Sequence, residues 1–124
     1  MRYGLAALVA MSVAVLGAGP ALAQGDPAAG KTAFNKCAAC HAVTPGTNKI
    51  GPSMHGVVGR KAAAVEGFAY SEPMKAYDVS WTQAELDKYL AAPREVVKGT
   101  KMIFAGLKND TERANVIAYL ETLK

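Results

Sequence analysis

The chain is poor in the residues that most chemistries need. Its 124 residues hold two cysteines and two histidines, His41 and His55. A zinc site built on the two thiols needs two more ligands, and beyond His41 only His55 is left to supply one. No stretch shows sustained alternation of apolar and polar residues, which argues against strands and for an all-α fold. No basic run and no base-stacking repeat is present, so the formal charge of +4 reads as a solvated surface and no nucleic-acid partner is expected. Internal repeats and low-complexity tails are also missing.

Long apolar runs are scarce as well. The run from Leu5 to Leu16 is shorter than the roughly 20 residues that a membrane-spanning helix needs. Arg2 precedes it, Gly19 and Pro20 break it, and Ala21-Leu22-Ala23 is an A-x-A cleavage site. Residues 1–23 therefore read as a cleaved signal peptide, and 24–124 as one domain exported to the periplasm. Removing Arg2 from the 14 basic residues leaves 13 against 10 acidic ones, a net +3. A domain of about 101 residues buries a modest core and profits from a staple.

Both cysteines fall in Cys37-Ala38-Ala39-Cys40-His41. This is C-x-x-C-H, the attachment signature of a c-type haem. The thiols add to the two vinyl groups as thioethers, and one helical turn sets the sulfur spacing. The same turn aims the histidine at the iron. A thioredoxin-like redox pair needs no histidine there and belongs beside a βαβ pattern, which is not found. One covalent haem c is thus expected. It also supplies the large apolar disc that a loop-rich chain with one Trp, five Tyr and three Phe can wrap.

Helical signals are spaced by loops. Asp26 as N-cap and Pro27 at the first position start a helix running into the haem motif. Gly30 either permits close helix approach or is a weak helix residue. Residues after His41 are rich in Gly and Pro and predict loop. Ser71 caps a short turn at Glu72-Pro73. Thr82 and Glu85 form a capping box, with Trp81 and Leu86 as its staple, and Pro93 stops that helix near Ala92. Residues 93–107 read as loop. The last helix is expected to be capped by Asp110, with Val116, Ile117, Leu120 and Leu123 as its apolar stripe. Loops this long in a small domain imply something to pack on.

An electron-transfer haem needs a ligand opposite His41. Met102 lies in a glycine-containing loop far from His41 in sequence, flanked by Lys101 and by Ile103-Phe104. Met54 and Met74 read as core methionines, and His55 as a surface or backbone-bonded histidine.

Cys37–His41, Gly51-Pro52-Ser53-Met54-His55-Gly56, Gly59-Arg60, Tyr70-Ser71, Trp81, Tyr89-Leu90 and Gly99-Thr-Lys-Met-Ile-Phe-Ala-Gly106 together resemble the class I c-type cytochromes. Within them the chain is most similar to the bacterial cytochrome c2 and mitochondrial cytochrome c group, across nearly the whole of 24–124. The resemblance implies the cytochrome c fold: terminal helices packed together, with shorter helices and long loops wrapping one haem. It implies thioethers at Cys37 and Cys40, and iron ligation by His41 and Met102. It has Pro52 accept a hydrogen bond from His41, and Tyr89 address the Met102 sulfur. Arg60, Tyr70 and Trp81 would serve one propionate, and Thr100 would sit near the other. Gly30 and Phe34 would pack against Val116 and Tyr119. Met74 departs from the pattern, standing where mitochondrial proteins carry an asparagine in a buried water network. Ala92, Val96 and Lys98 replace an asparagine, an aromatic and a proline.

The function implied is one-electron shuttling by a monomeric carrier that is no enzyme. A bc1-type complex is the expected donor. The acceptor is a terminal oxidase of a respiratory chain, a photosynthetic reaction centre or a reductase. Lys36, Lys49, Arg94, Lys98, Lys101 and Lys108 would ring the exposed haem edge and dock to acidic patches. An open-site peroxidase or gas sensor, and a tethered structural role with an uncleaved 1–23, are the rival readings.

Overall fold

In the computed structural model, residues 24–124 are described, together with Ala10, Ser12 and Ala14. The expected signal peptide, 1–23, otherwise lies outside the described residues. Five helices follow in order: α1 (Pro27–Ala33), α2 (Glu72–Ala76), α3 (Gln83–Ala91), α4 (Pro93–Val96) and α5 (Asp110–Glu121). Among the described residues there is no strand, only an isolated antiparallel bridge between Lys61 and Ser80. The all-α expectation holds.

Local chemistry explains where the helices start. The Asp26 carboxylate accepts the Ala28 N–H at 2.9 Å, and Pro27 follows with φ already suited to a helix. Ser71 accepts the Met74 N–H at 3.2 Å, and Thr82 accepts that of Glu85 at 3.2 Å. The reverse half of the predicted capping box is replaced, because Glu85 instead accepts the Tyr77 hydroxyl at 2.8 Å. Trp81 and Leu86 are both buried, as a staple requires.

Three boundaries differ from expectation. The helix into the haem motif tightens after Ala33 into a 3-10 turn, Phe34–Lys36, before the motif. Pro93 stops α3 but also opens α4, since proline is well tolerated in a first turn. The cap of α5 is Asn109, whose side chain accepts the Glu112 N–H at 2.9 Å. Asp110 is thereby free to pair with Arg113 at 2.8 Å.

α1 and α5 cross in close contact. A Cβ at Gly30 would overlap the Asn115 carbonyl, so glycine is needed there for approach and not merely tolerated. Phe34 stacks on Tyr119 with ring centroids 5.4 Å apart, and Val116 is 1% exposed beneath them. The Asn115 side chain accepts the Asp26 N–H at 2.8 Å, tying the start of α1 to the middle of α5. Burial of Val116, Ile117 and Leu120 supplies about 1.5–3 kcal/mol per side chain before entropy is counted.

The intervening loops are pinned by backbone bonds to ordered neighbours. Gly51 N–H donates to Cys40 at 2.8 Å and Met54 N–H to Ala42 at 2.9 Å. Gly59 donates to Trp81, and Trp81 to Arg60, both at 2.8 Å. Ser53, 3% exposed, gives its hydroxyl to the Thr44 carbonyl at 2.7 Å and closes the same loop.

Gly30→Ala should destabilise the protein by about 1–3 kcal/mol, because overlap with backbone outweighs the roughly 0.5–1 kcal/mol of helix propensity gained. Denaturant unfolding checks this; unchanged stability would show that α1 and α5 can separate freely.

Candidate haem site

The 3-10 turn delivers Cys37, and the chain continues as a tight turn through the motif. Cys40 N–H donates to the Cys37 carbonyl at 3.1 Å and His41 N–H to the same oxygen at 2.9 Å. Both thiols and the His41 ring are thereby presented to one cavity of 340 Å³. Burial pushes the Cys37 thiol up, with Lys36 acting weakly the other way. A protonated, half-buried thiol does not suit a reactive thiolate pair.

His41 Nδ1 lies 2.8 Å from the Pro52 carbonyl. Only an N–H can satisfy that oxygen, so Nδ1 carries the proton and Nε2 keeps its lone pair. Burial lowers the His41 pKa, opposed by the Pro52 bond, with Arg60 and Lys49 lowering it further. The ring is therefore a neutral imidazole. A Cβ on Gly51 would run into this ring, so the residue before Pro52 has to be glycine for the loop to reach it.

Met102 lines the same cavity. The Tyr89 hydroxyl is 3.6 Å from the Met102 sulfur and 3.1 Å from Thr100 Oγ1. Thr100 Oγ1 also accepts the Met102 N–H at 3.4 Å. Burial raises the Tyr89 pKa, so its phenol stays a donor at ordinary pH.

Arg60 is the most informative side chain inside. One guanidinium nitrogen donates to the carbonyls of Ser53 and His55, at 3.0 and 3.1 Å. Its Nε is buried without a hydrogen-bond partner, and the residue lines the cavity. Burial lowers the Arg60 pKa, with Tyr70 acting against it. An unpartnered guanidinium N–H in a residue lining a mostly apolar cavity suits an anion such as a carboxylate. Tyr70 and Trp81 line the same cavity, and the Tyr70 hydroxyl accepts the Val65 N–H at 3.1 Å.

These residues fit a haem. Two thiols and a neutral imidazole stand on the wall, a thioether shares the cavity, mostly apolar side chains surround it, and a half-buried cation with an unpartnered Nε lines it. Met74, 9% exposed, is an apolar part of the wall. A larger depression of 600 Å³ lies between Gln24, α3 and α5, but contains neither the thiols, His41 nor Met102, so the chemistry belongs to the smaller cavity.

The six cations expected around the site are all exposed. Lys36 is paired with Glu112 at 2.5 Å. Lys49, Lys101 and Lys108 rest their ammonium groups on the carbonyls of Ala38, Ala69 and Ala91 at 2.6–2.8 Å, which leaves their charge uncancelled. Two features differ from expectation: Ile103, which beside Phe104 can seal the Met102 pocket, is instead open to solvent, and Arg113 is buried. Ile50 and Ile103 stand 80% and 91% exposed at the cavity mouth. Arg113 is buried between Asp87 and Leu107. Its spacing from Asp110 was visible in sequence, but its tie to α3 was not.

Comparison with known proteins agrees with this geometry. The family model for cytochrome c matches residues 27–124. Cytochrome c-554 of Methylosinus trichosporium is 49% identical over 117 residues, covering 94% of this chain and 86% of that one. Cytochrome c2 of Rhodoblastus acidophilus is 50% identical over 101 residues, covering 81% and 94% respectively. Among solved structures, cytochrome cH from Methylobacterium extorquens aligns with a TM-score of 0.75 and 43% identity, covering 79% of this chain and 99% of that one. The fold, the cradle and its relatives coincide, and the chain belongs to the cytochrome c family: a class I c-type electron carrier rather than an enzyme, with one covalent haem c held through Cys37 and Cys40.

Proposed function

We propose that this protein is a one-electron shuttle whose haem iron is ligated by His41 and Met102. The observation that carries the reading is the pair of oriented donors on one cavity. His41 has its Nδ1 engaged by Pro52 at 2.8 Å, and Met102 has its sulfur within 3.6 Å of the Tyr89 hydroxyl. Bound there, the haem supplies an Fe(III)/Fe(II) couple.

The chain's own residues then do the following. Pro52 fixes the imidazole tautomer, so that only Nε2 can reach iron. Met102, a soft thioether, favours the ferrous form and a positive potential. Tyr89 donates toward that sulfur and so withdraws electron density from it. Arg60, beside Tyr70 and Trp81, holds a propionate and compensates its charge, while Thr100 lies near the other. His41 and Met102 would both hold the iron, which would leave no position for a substrate. Apolar walls exclude water, which keeps solvent rearrangement small during electron transfer.

Outside, Lys36, Lys49, Arg94, Lys98, Lys101 and Lys108 steer the monomeric carrier to acidic patches on membrane complexes. The expected donor is a bc1-type complex; the acceptor is an oxidase, a reaction centre or a reductase. Residues 1–23 direct export to the periplasm and are removed. Among the described residues no helix is long and apolar enough to cross a membrane.

Met102→Ala should abolish the sulfur-to-iron charge-transfer band of the oxidised protein and lower its potential, while the reduced unaltered protein should resist carbon monoxide. Persistence of the band in the variant would falsify the Met102 assignment, and rapid carbon monoxide binding would favour an open distal site. Arg60→Leu should also lower the potential, because loss of a half-buried cation stabilises ferric iron; an unchanged midpoint in redox titration would remove Arg60 from the haem environment. Oxidation of the reduced protein by membranes of its source, followed in light and dark across ionic strengths, should slow as salt rises. A salt-independent rate would dismiss the cationic ring, and light dependence would identify a photosynthetic acceptor.

A further inference from the structure

The segment carrying Met102 has little support of its own. Met102 N–H reaches Thr100 Oγ1 at 3.4 Å, and the next residue along the chain with a backbone hydrogen bond is Leu107. That peptide is held from both sides. Leu107 N–H donates to the Leu90 carbonyl of α3 at 2.7 Å, and its own carbonyl accepts Arg113 Nη1 of α5 at 2.9 Å. Leu107 is 3% exposed, so neither bond is readily exchanged for water.

Arg113 is itself oriented from outside α5. Its Nε donates to Asp87 of α3 at 2.6 Å, and its Nη2 to Asp110 at 2.8 Å. The Arg113 side chain is 10% exposed, against 39% for Asp87 and 91% for Asp110. The Asp110 pair is therefore screened and contributes little. The bonds to Asp87 and to the Leu107 carbonyl are charge-assisted and sheltered, and they use the planar fork that only arginine has.

We propose that Arg113 is a positioning residue for Met102. Oriented by Asp87, its guanidinium fixes the Leu107 carbonyl, anchors the far end of the Met102 segment, and limits how often the sulfur leaves the iron. The proposal rests on Met102 as the sixth ligand. Opening of the segment is a local event that need not unfold the α1–α5 contact. A residue that merely stabilises the fold would alter global unfolding without altering that opening.

The test uses ferric holo-protein and imidazole, which enters the sixth position when the sulfur departs. Arg113→Gln and Asp87→Ala should each speed imidazole binding about tenfold, the factor that one charge-assisted hydrogen bond represents, with the resting charge-transfer band retained. Asn115→Ala is the control. It removes the tie to the Asp26 N–H, so it should lower global stability in denaturant and leave the imidazole rate unchanged. Arg113→Lys keeps the charge, loses the fork, and should fall between; with Asp87→Ala it serves if Arg113→Gln does not accumulate as holo-protein. Acceleration no greater than in Asn115→Ala overturns the proposal alone. Absence of the sulfur band from the unaltered protein overturns the ligand reading and the proposal with it.

Discussion

The contact between α1 and α5 is the constraint on which the rest depends. It joins the first and last helices of the domain through a glycine, an asparagine carbonyl and a pair of stacked rings. Everything between is loop and short helix, with too little regular structure to form a core alone. Closing the chain's ends places the 3-10 turn, and so Cys37, at the edge of that contact. Phe34, Val116 and Leu120 belong both to the helix interface and to the wall of the haem cavity. The interface that closes the chain is therefore also part of the cofactor's floor. A covalent haem supplies the missing core, and the loops gain a surface to pack on.

The legible part of this molecule was local chemistry. C-x-x-C-H, the Ser71 and Thr82 caps and the Val116–Leu120 stripe each act over a few residues, so residue types suffice to find them. The errors were local too. Both Asn109 and Asp110 can cap, and the choice between them follows from Arg113, which recruits Asp110 and Asp87. Glu85 fits a capping box by spacing, but Tyr77 captures its carboxylate through a turn that spacing does not reveal. Pro93 correctly marks an end, while α4 depends on how the following residues fold back. The roles of Arg60, Tyr89 and Pro52 came through family resemblance. Their partners lie across loops without periodicity, where residue patterns carry no distance information.

Two inward-placed arginines, Arg60 half-buried and Arg113 buried, show how the structure separates cofactor from scaffold. Arg60 is half satisfied, by carbonyls at one nitrogen, and its Nε is buried without a partner in a residue that lines the cavity. Arg113 is fully engaged by two carboxylates and a carbonyl. A desolvated guanidinium is costly unless paired, so the first implies a missing anion and the second implies none. That contrast supports a haem carboxylate in the cavity independently of the cysteine motif. It also explains why the two arginines shift in opposite directions. Burial leads for Arg60 and lowers its pKa, while the Asp87 bond leads for Arg113 and raises it.

The same distinction bears on how electrons leave. Three of the six exposed cations, Lys49, Lys101 and Lys108, rest on carbonyl oxygens, which orient them without cancelling their charge. Lys36 differs, because Glu112 neutralises it beside Cys37. The positive field is thereby displaced from the attachment turn toward Lys49, Lys98 and Lys101. Next in sequence to Lys49, and two residues after Lys101, Ile50 and Ile103 bring exposed apolar surface to the cavity. Long-range attraction falls off over about 8 Å at physiological salt. If the cations steer a partner as proposed, final approach would depend on short-range apolar contact, which is made and broken quickly when the patch is small. A carrier that must leave after each electron is served by strong steering and a weak grip. This arrangement places the two properties on different residues.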